Sequence, residues 1–155
     1  MTEPPPPLLT RIDHVGIACR DLDETTARYV ELFGLTVVSR ETNEEQGVNE
    51  AMLDVAQSPA SGSTPGGSPG GSYVQLLQPI RADSPVGRFL ERRGEGIHHV
   101  GYGVADVGAA LTRLGGRGVR LIDQRPRHGS MGAAIAFLHP QSLGGVLTEL
   151  VQAPD

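Results

Sequence analysis

Polar and apolar residues alternate in two separated stretches of the chain, and a helical spacing of apolar positions follows each one. In residues 11–19, Ile12, His14, Gly16 and Ala18 fall on one side of a strand, and Val15, Ile17 and Cys19 fall on the other. In residues 97–104, Ile97, His99, Gly101 and Gly103 oppose Val100, Tyr102 and Val104 in the same way. Asp21 is placed to cap a helix running to about Phe33 and stopping at Gly34. Asp106 is placed to cap another, ending near Gly115 and Gly116. His14 and His99 are 85 residues apart, and so are Asp21 and Asp106. Two copies of one strand–turn–helix unit predict a duplicated fold; a solenoid needs more repeats.

The remaining apolar runs complete both copies. Leu35–Glu41, Val48–Val55 and Tyr73–Leu77 read as strands of the first half, and Val119–Ile122, Ala134–Leu138 and Val146–Val151 as strands of the second. Ser84–Arg92 reads as a linking helix, with Ser84 as its cap and Pro85 at its first position. Each half is then β-α-β-β-β, an α+β arrangement. The division is one domain over 1–155, with a first module at 11–78, a linking segment at 79–96 and a second module at 97–152. The Gly/Ser/Pro-rich stretch 57–72 predicts a flexible surface loop, read as a tolerated insertion in preference to a lid.

Composition narrows the chemistry. A chain of 155 residues can bury a sizeable core. Its net charge of -5 gives no general attraction to nucleic acid or to anionic membranes. Cys19 is the single cysteine, which excludes an internal disulfide and fits a reducing compartment. The opening MTEPPPPLL has neither the positive start nor the apolar run of a secretory signal, and no apolar run reaches a membrane span, so a cytoplasmic protein is expected. There is no lysine, which removes Schiff-base chemistry and a P-loop. No G-x-G-x-x-G follows a strand, so a dinucleotide fold has no support.

The same alternation gathers polar groups. His14 and His99 share equivalent faces, opposite the apolar sets that suit helix packing. Gly16 and Gly101, two positions on, leave room beside an imidazole. In the last strand of each half, Gln75 and Glu149 take matching places, and Glu149 sits among Leu147 and Val151. A carboxylate in such surroundings is costly unless paired or bound to a cation. Two imidazoles, an amide oxygen and a carboxylate suit one borderline divalent ion: cobalt as the first expectation, with manganese, nickel or zinc as alternatives. Four protein ligands on an octahedral ion leave two positions for a chelating substrate. Taken singly, each histidine reads equally as a core residue; their duplicated placement together with Glu149 favours the metal.

The segments IDHVGIACRDLDE, NEEQGVNEAML, YVQLLQP, DSPVGRFLERRGEGIHHVGY, GVRLIDQRPRHGSMGAAIAFLHP and GGVLTELV span residues 11–152 and resemble the methylmalonyl-CoA epimerases of the glyoxalase and vicinal-oxygen-chelate superfamily. The resemblance implies paired βαβββ modules in a half-open mixed-sheet barrel, with a divalent metal held by His14, Gln75, His99 and Glu149. It also implies a methylmalonyl-CoA substrate and a homodimer. The chain departs from the pattern in its longer loop at 57–72 and in RHGSMG, which lacks a lysine often found in the stretch that follows.

Such an epimerase removes a proton from one face of the α-carbon and returns one to the other through a thioester enolate. Glu149 and Glu50 are the candidate acid/base pair. The resemblance carries Glu50, although other relatives lack that glutamate and its strand face depends on register. Glu44 or Glu45 is the alternative base, if either is more than part of a solvated turn. His98 and Cys19 read as structural, His139 as shaping a turn, His128 as an exposed loop residue, and Arg92 and Arg93 as a solvated helix end. Two competing readings share the fold. One is a glyoxalase-type isomerase of a glutathione hemithioacetal, and the other is a metal-free resistance protein that sequesters small molecules.

Overall fold

The computed structural model describes residues 3–55 and 71–155, so the predicted loop at 57–72 lies almost wholly outside the described residues. The chain forms β1 (Leu9–Ala18), α1 (Leu22–Phe33), β2 (Thr36–Asn43), β3 (Val48–Asp54), β4 (Tyr73–Pro79), α2 (Pro85–Arg93), β5 (Gly96–Val104), α3 (Val107–Gly115), β6 (Arg127–His128), β7 (Ala134–Leu138) and β8 (Thr148–Gln152). The order β-α-β-β-β occurs twice around α2, the α+β arrangement that the duplication predicts. Each helix begins where a side chain takes up an orphan amide. Asp21 accepts from the Glu24 N–H, Ser84 from Gly87 and Asp106 from Ala109, and Pro85 opens α2.

The chain divides into two compact units, and the division falls inside β1 and β5. One unit is Asp13–Gly101, where the strands lie in the order β2-β3-β4-β1-β5. Here β1 runs parallel to β4, with His14 opposite Tyr73 and Gly16 opposite Gln75. β3 is antiparallel to both its neighbours and sets Met52 opposite Gln75. This register puts His14, Gly16, Gln75, Met52 and Glu50 on one face. Cys19, Ala51, Leu53 and Leu76 lie on the other, packed with Leu22 and Tyr29 of α1. Leu53 and Leu76 are fully buried, and truncating either to alanine would cost about 2–5 kcal/mol. Val86 and Leu90 of α2 pack on Ala18, Val48 and Leu77.

The other unit comprises the residues up to Ile12 and Tyr102–Asp155, with strand order β1-β5-β8-β7-β6. Ala136, Leu138 and Leu150 pack with Val107, Ala110 and Leu111 of α3, and Ile135, Phe137 and Val151 form the opposite face. Val119–Ile122, expected as a strand, makes only an isolated bridge between Leu121 and Leu138. Side chains take the places a ladder would fill: the Phe137 N–H donates to the Asp123 carboxylate at 2.8 Å and the Arg120 N–H to the Ser142 hydroxyl at 3.0 Å. The second strand of this half is the two-residue β6.

Candidate active site

Within Asp13–Gly101 the two histidines that the sequence sets 85 residues apart meet. His14 Nε2 and His99 Nε2 are 2.9 Å apart, and both residues are buried. Each ring lies over the glycine of the other repeat: a Cβ at Gly101 would overlap the His14 imidazole, and a Cβ at Gly16 the His99 imidazole. The room expected beside each histidine therefore serves the opposite one. Gly16 is also the register partner of Gln75, which brings the His99 ring to the Gln75 row.

The other nitrogen of each ring is tied down. His14 Nδ1 donates to the Asp13 carboxylate at 2.8 Å, which leaves Nε2 as its lone pair. His99 Nδ1 is 2.9 Å from His98 Nδ1. Burial pulls His98 down to about 4, and burial, with His14 and then His98 as neighbours, holds His99 well below its ordinary value. Both rings of that pair are therefore neutral near pH 7. When His99 donates from Nδ1 to His98, both Nε2 atoms can turn a lone pair toward one cation. Two nitrogens bound at about 2.1 Å and at right angles stand roughly 3 Å apart, so the spacing fits adjacent positions on one divalent ion.

The same face carries an amide and a carboxylate. Gln75 Nε2 donates to Glu50 Oε2 at 2.9 Å, which commits the amide nitrogen and leaves Oε1 as the ligand-type atom. Glu50 and Gln75 are both buried, so the register resolves the face of Glu50: it points inward, away from solvent. Glu149 lies in the other unit, buried on β8 and opposite Phe137, on the apolar face predicted for it.

The remaining residues take quieter places. Glu44 and Glu45 are exposed in the β2–β3 turn. His98 stacks edge-on against Phe89, His139 accepts from the Gln141 N–H in a turn, and His128 is exposed. Cys19 is buried, and burial raises its thiol pKa. Arg93 lies over Phe89. Asp13 and its hydrogen bond to His14 were not read from the sequence; an acid directly before a candidate ligand histidine was the available signal.

The pattern of the Glyoxalase/Bleomycin resistance protein/Dioxygenase superfamily matches residues 13–137. The chain belongs to this superfamily. A solved Streptomyces coelicolor methylmalonyl-CoA epimerase in complex with 2-nitronate-propionyl-CoA is 49% identical, covers 95% of this chain and 99% of that one, and superposes with a TM-score of 0.85. A second methylmalonyl-CoA epimerase structure, in complex with methylmalonyl-CoA and NH4+, is 50% identical over 94% of this chain and 95% of that one, with a TM-score of 0.84. The ethylmalonyl-CoA/methylmalonyl-CoA epimerase of Cereibacter sphaeroides is 31% identical over 94% of this chain and 99% of its own length. The family expected from IDHVGI, FLHP and GVLTEL is thus the family found.

Proposed function

We propose that this protein interconverts (2R)- and (2S)-methylmalonyl-CoA by removing and returning the α-proton through a thioester enolate. The observation that carries the reading is the pair of imidazole Nε2 atoms 2.9 Å apart, one from each repeat, on the sheet face that also holds Gln75 and Glu50. Relatives at 49–50% identity with methylmalonyl-CoA or 2-nitronate-propionyl-CoA bound support the substrate class.

One divalent ion, cobalt by first expectation, would be held by His14, Gln75, His99 and Glu149; when bound it supplies Lewis-acid stabilisation of negative charge on the thioester oxygen. The matched places of Gln75 on β4 and Glu149 on β8 support the set. Asp13 and His98 fix the orientation of the two imidazoles. Glu50 takes or gives the proton on one face of the α-carbon and Glu149 on the other. Burial keeps water from competing for the carbanion, and the Gln75 amide holds the Glu50 carboxylate in place. The protein acts as a cytoplasmic homodimer with one complete site per chain. A helix long and apolar enough to cross a membrane is absent among the described residues, and light scattering that returns a concentration-independent monomer would overturn the dimer.

The test is to incubate each pure enantiomer with the cobalt-loaded protein in D2O. We expect inversion from either side with deuterium appearing at the α-carbon. An absence of inversion and exchange, with turnover of a glutathione hemithioacetal instead, would replace the epimerase with a glyoxalase-type isomerase.

A further inference from the structure

An epimerase with two bases does not end a turnover in the form in which it began. Glu50 has gained the substrate's proton and become a neutral acid, and the opposite group has given one up. Before the same enantiomer can be turned over again, the Glu50 proton must reach water. Glu50 has only 3% of its surface exposed, and its Oε2 is held by Gln75. A route from this carboxyl to solvent is therefore required.

The sheet provides one. Glu41 on β2 stands directly opposite Glu50 on β3. Residues opposed in this way share a face with Cβ atoms about 4.5–5.5 Å apart, so the two carboxyls can reach each other directly or across one water. Glu41 is partly exposed, so a proton on its carboxyl can pass to water.

A β-bulge makes this pairing. Val37 opposes Leu53 and Ser39 opposes Met52, so Val38 is an extra residue in β2. Before the bulge, Val37 packs in the α1-facing core. Without the bulge, strict alternation through Val38 would turn Glu41 to that face too and place Arg40 beside the site. With it, Arg40 reaches Asp23 of α1 at 2.7 Å and Glu41 faces Glu50. A bulge that re-aims one side chain is the usual device for such a change.

We propose that Glu41 is the proton outlet of Glu50, a positioning residue that accepts the proton from the Glu50 carboxylic acid and releases it to water at its own partly exposed surface. The inference rests on the epimerase reading. In the reset, the proton leaves Glu50 Oε, Glu41 becomes the neutral acid, and water takes the proton from Glu41; the reverse sequence reloads Glu50 for the opposite direction.

The reset occurs in the free enzyme after product leaves, so slowing it lowers kcat and KM together and leaves kcat/KM untouched. The experiment compares cobalt-loaded wild type, Glu41→Gln and Glu41→Asp on each enantiomer of methylmalonyl-CoA. Glu41→Gln is expected to lose on the order of tenfold in kcat, less than the roughly 100-fold or more of an acid or base at the reacting carbon because Glu41 acts only through Glu50, with KM reduced in proportion. Glu41→Asp is expected to regain most of that loss, and added formate is expected to raise kcat in Glu41→Gln but not in wild type. If Glu41→Gln fails to fold, Glu41→Ala with and without formate decides, and no rescue overturns the proposal. An unchanged kcat, or a fall in kcat/KM equal to the fall in kcat, also overturns it. Wild type that inverts neither enantiomer instead refutes the epimerase reading.

Discussion

Asp13 and His98 occupy equivalent places in the two halves, 85 residues apart and each directly before the histidine it supports. The first half backs its imidazole with a buried carboxylate at 2.8 Å, and the second with a neutral imidazole at 2.9 Å. The histidines themselves, their glycines Gly16 and Gly101, and the capping residues Asp21 and Asp106 are the same in both halves. The two halves thus keep the positions that aim at a common point and differ in what tunes each ligand. A carboxylate behind a histidine raises its basicity as a metal ligand more than an imidazole does, so in the proposed metal site His14 would be the stronger donor and His99 the weaker one.

The largest effect that tests this comparison is removal of a ligand. His99→Ala should lose tight metal binding and activity while keeping its fold; stoichiometric metal in that variant, measured on the purified protein, would take His99 out of the set. Next come the crossed glycines. Gly101→Ala drives a methyl into the His14 ring and Gly16→Ala into the His99 ring, and each should cost about 1–3 kcal/mol by overpacking and weaken metal binding. Melting curves and metal titration check both, and wild-type behaviour in either would break the crossed arrangement. Smaller is the loss of a backing group: Asp13→Asn should weaken metal affinity by roughly 10–100-fold, read by competition with a chelator. Smallest is His98→Ala, expected near the bottom of that range because His98 brings no charge. If His98→Ala costs more than Asp13→Asn, the asymmetry drawn here is reversed.

Much of this was legible in the chain. The two-residue alternation set the faces of His14, His99, Gln75 and Glu149, and Asp21, Ser84 and Asp106 announced their helices. Four features were not legible, and each depends on contacts between distant segments. The inward face of Glu50 needs the β3–β4 register. The opposition of Glu41 to Glu50 needs a bulge at Val38 that no local residue signals. Val119–Ile122 has a strand-like composition but loses its ladder to the side chains of Asp123 and Ser142, whose targets lie 14 and 22 residues away. The crossing of each imidazole over the other half's glycine follows from the meeting of the two repeats, which the alternation within either one does not reveal.

The central claim is that the α-proton is handled on one face by Glu50 and on the other by a second carboxylate, Glu149. Deuterium exchange from each pure enantiomer by Glu50→Gln, with saturating cobalt and mass-spectrometric detection, tests it most directly. The substitution keeps shape and hydrogen bonding but cannot accept a proton. Exchange from one enantiomer should fall by on the order of 100-fold, and exchange from the other should fall much less. Wild-type inversion and exchange from both enantiomers would contradict the claim and move the base to Glu44 or Glu45.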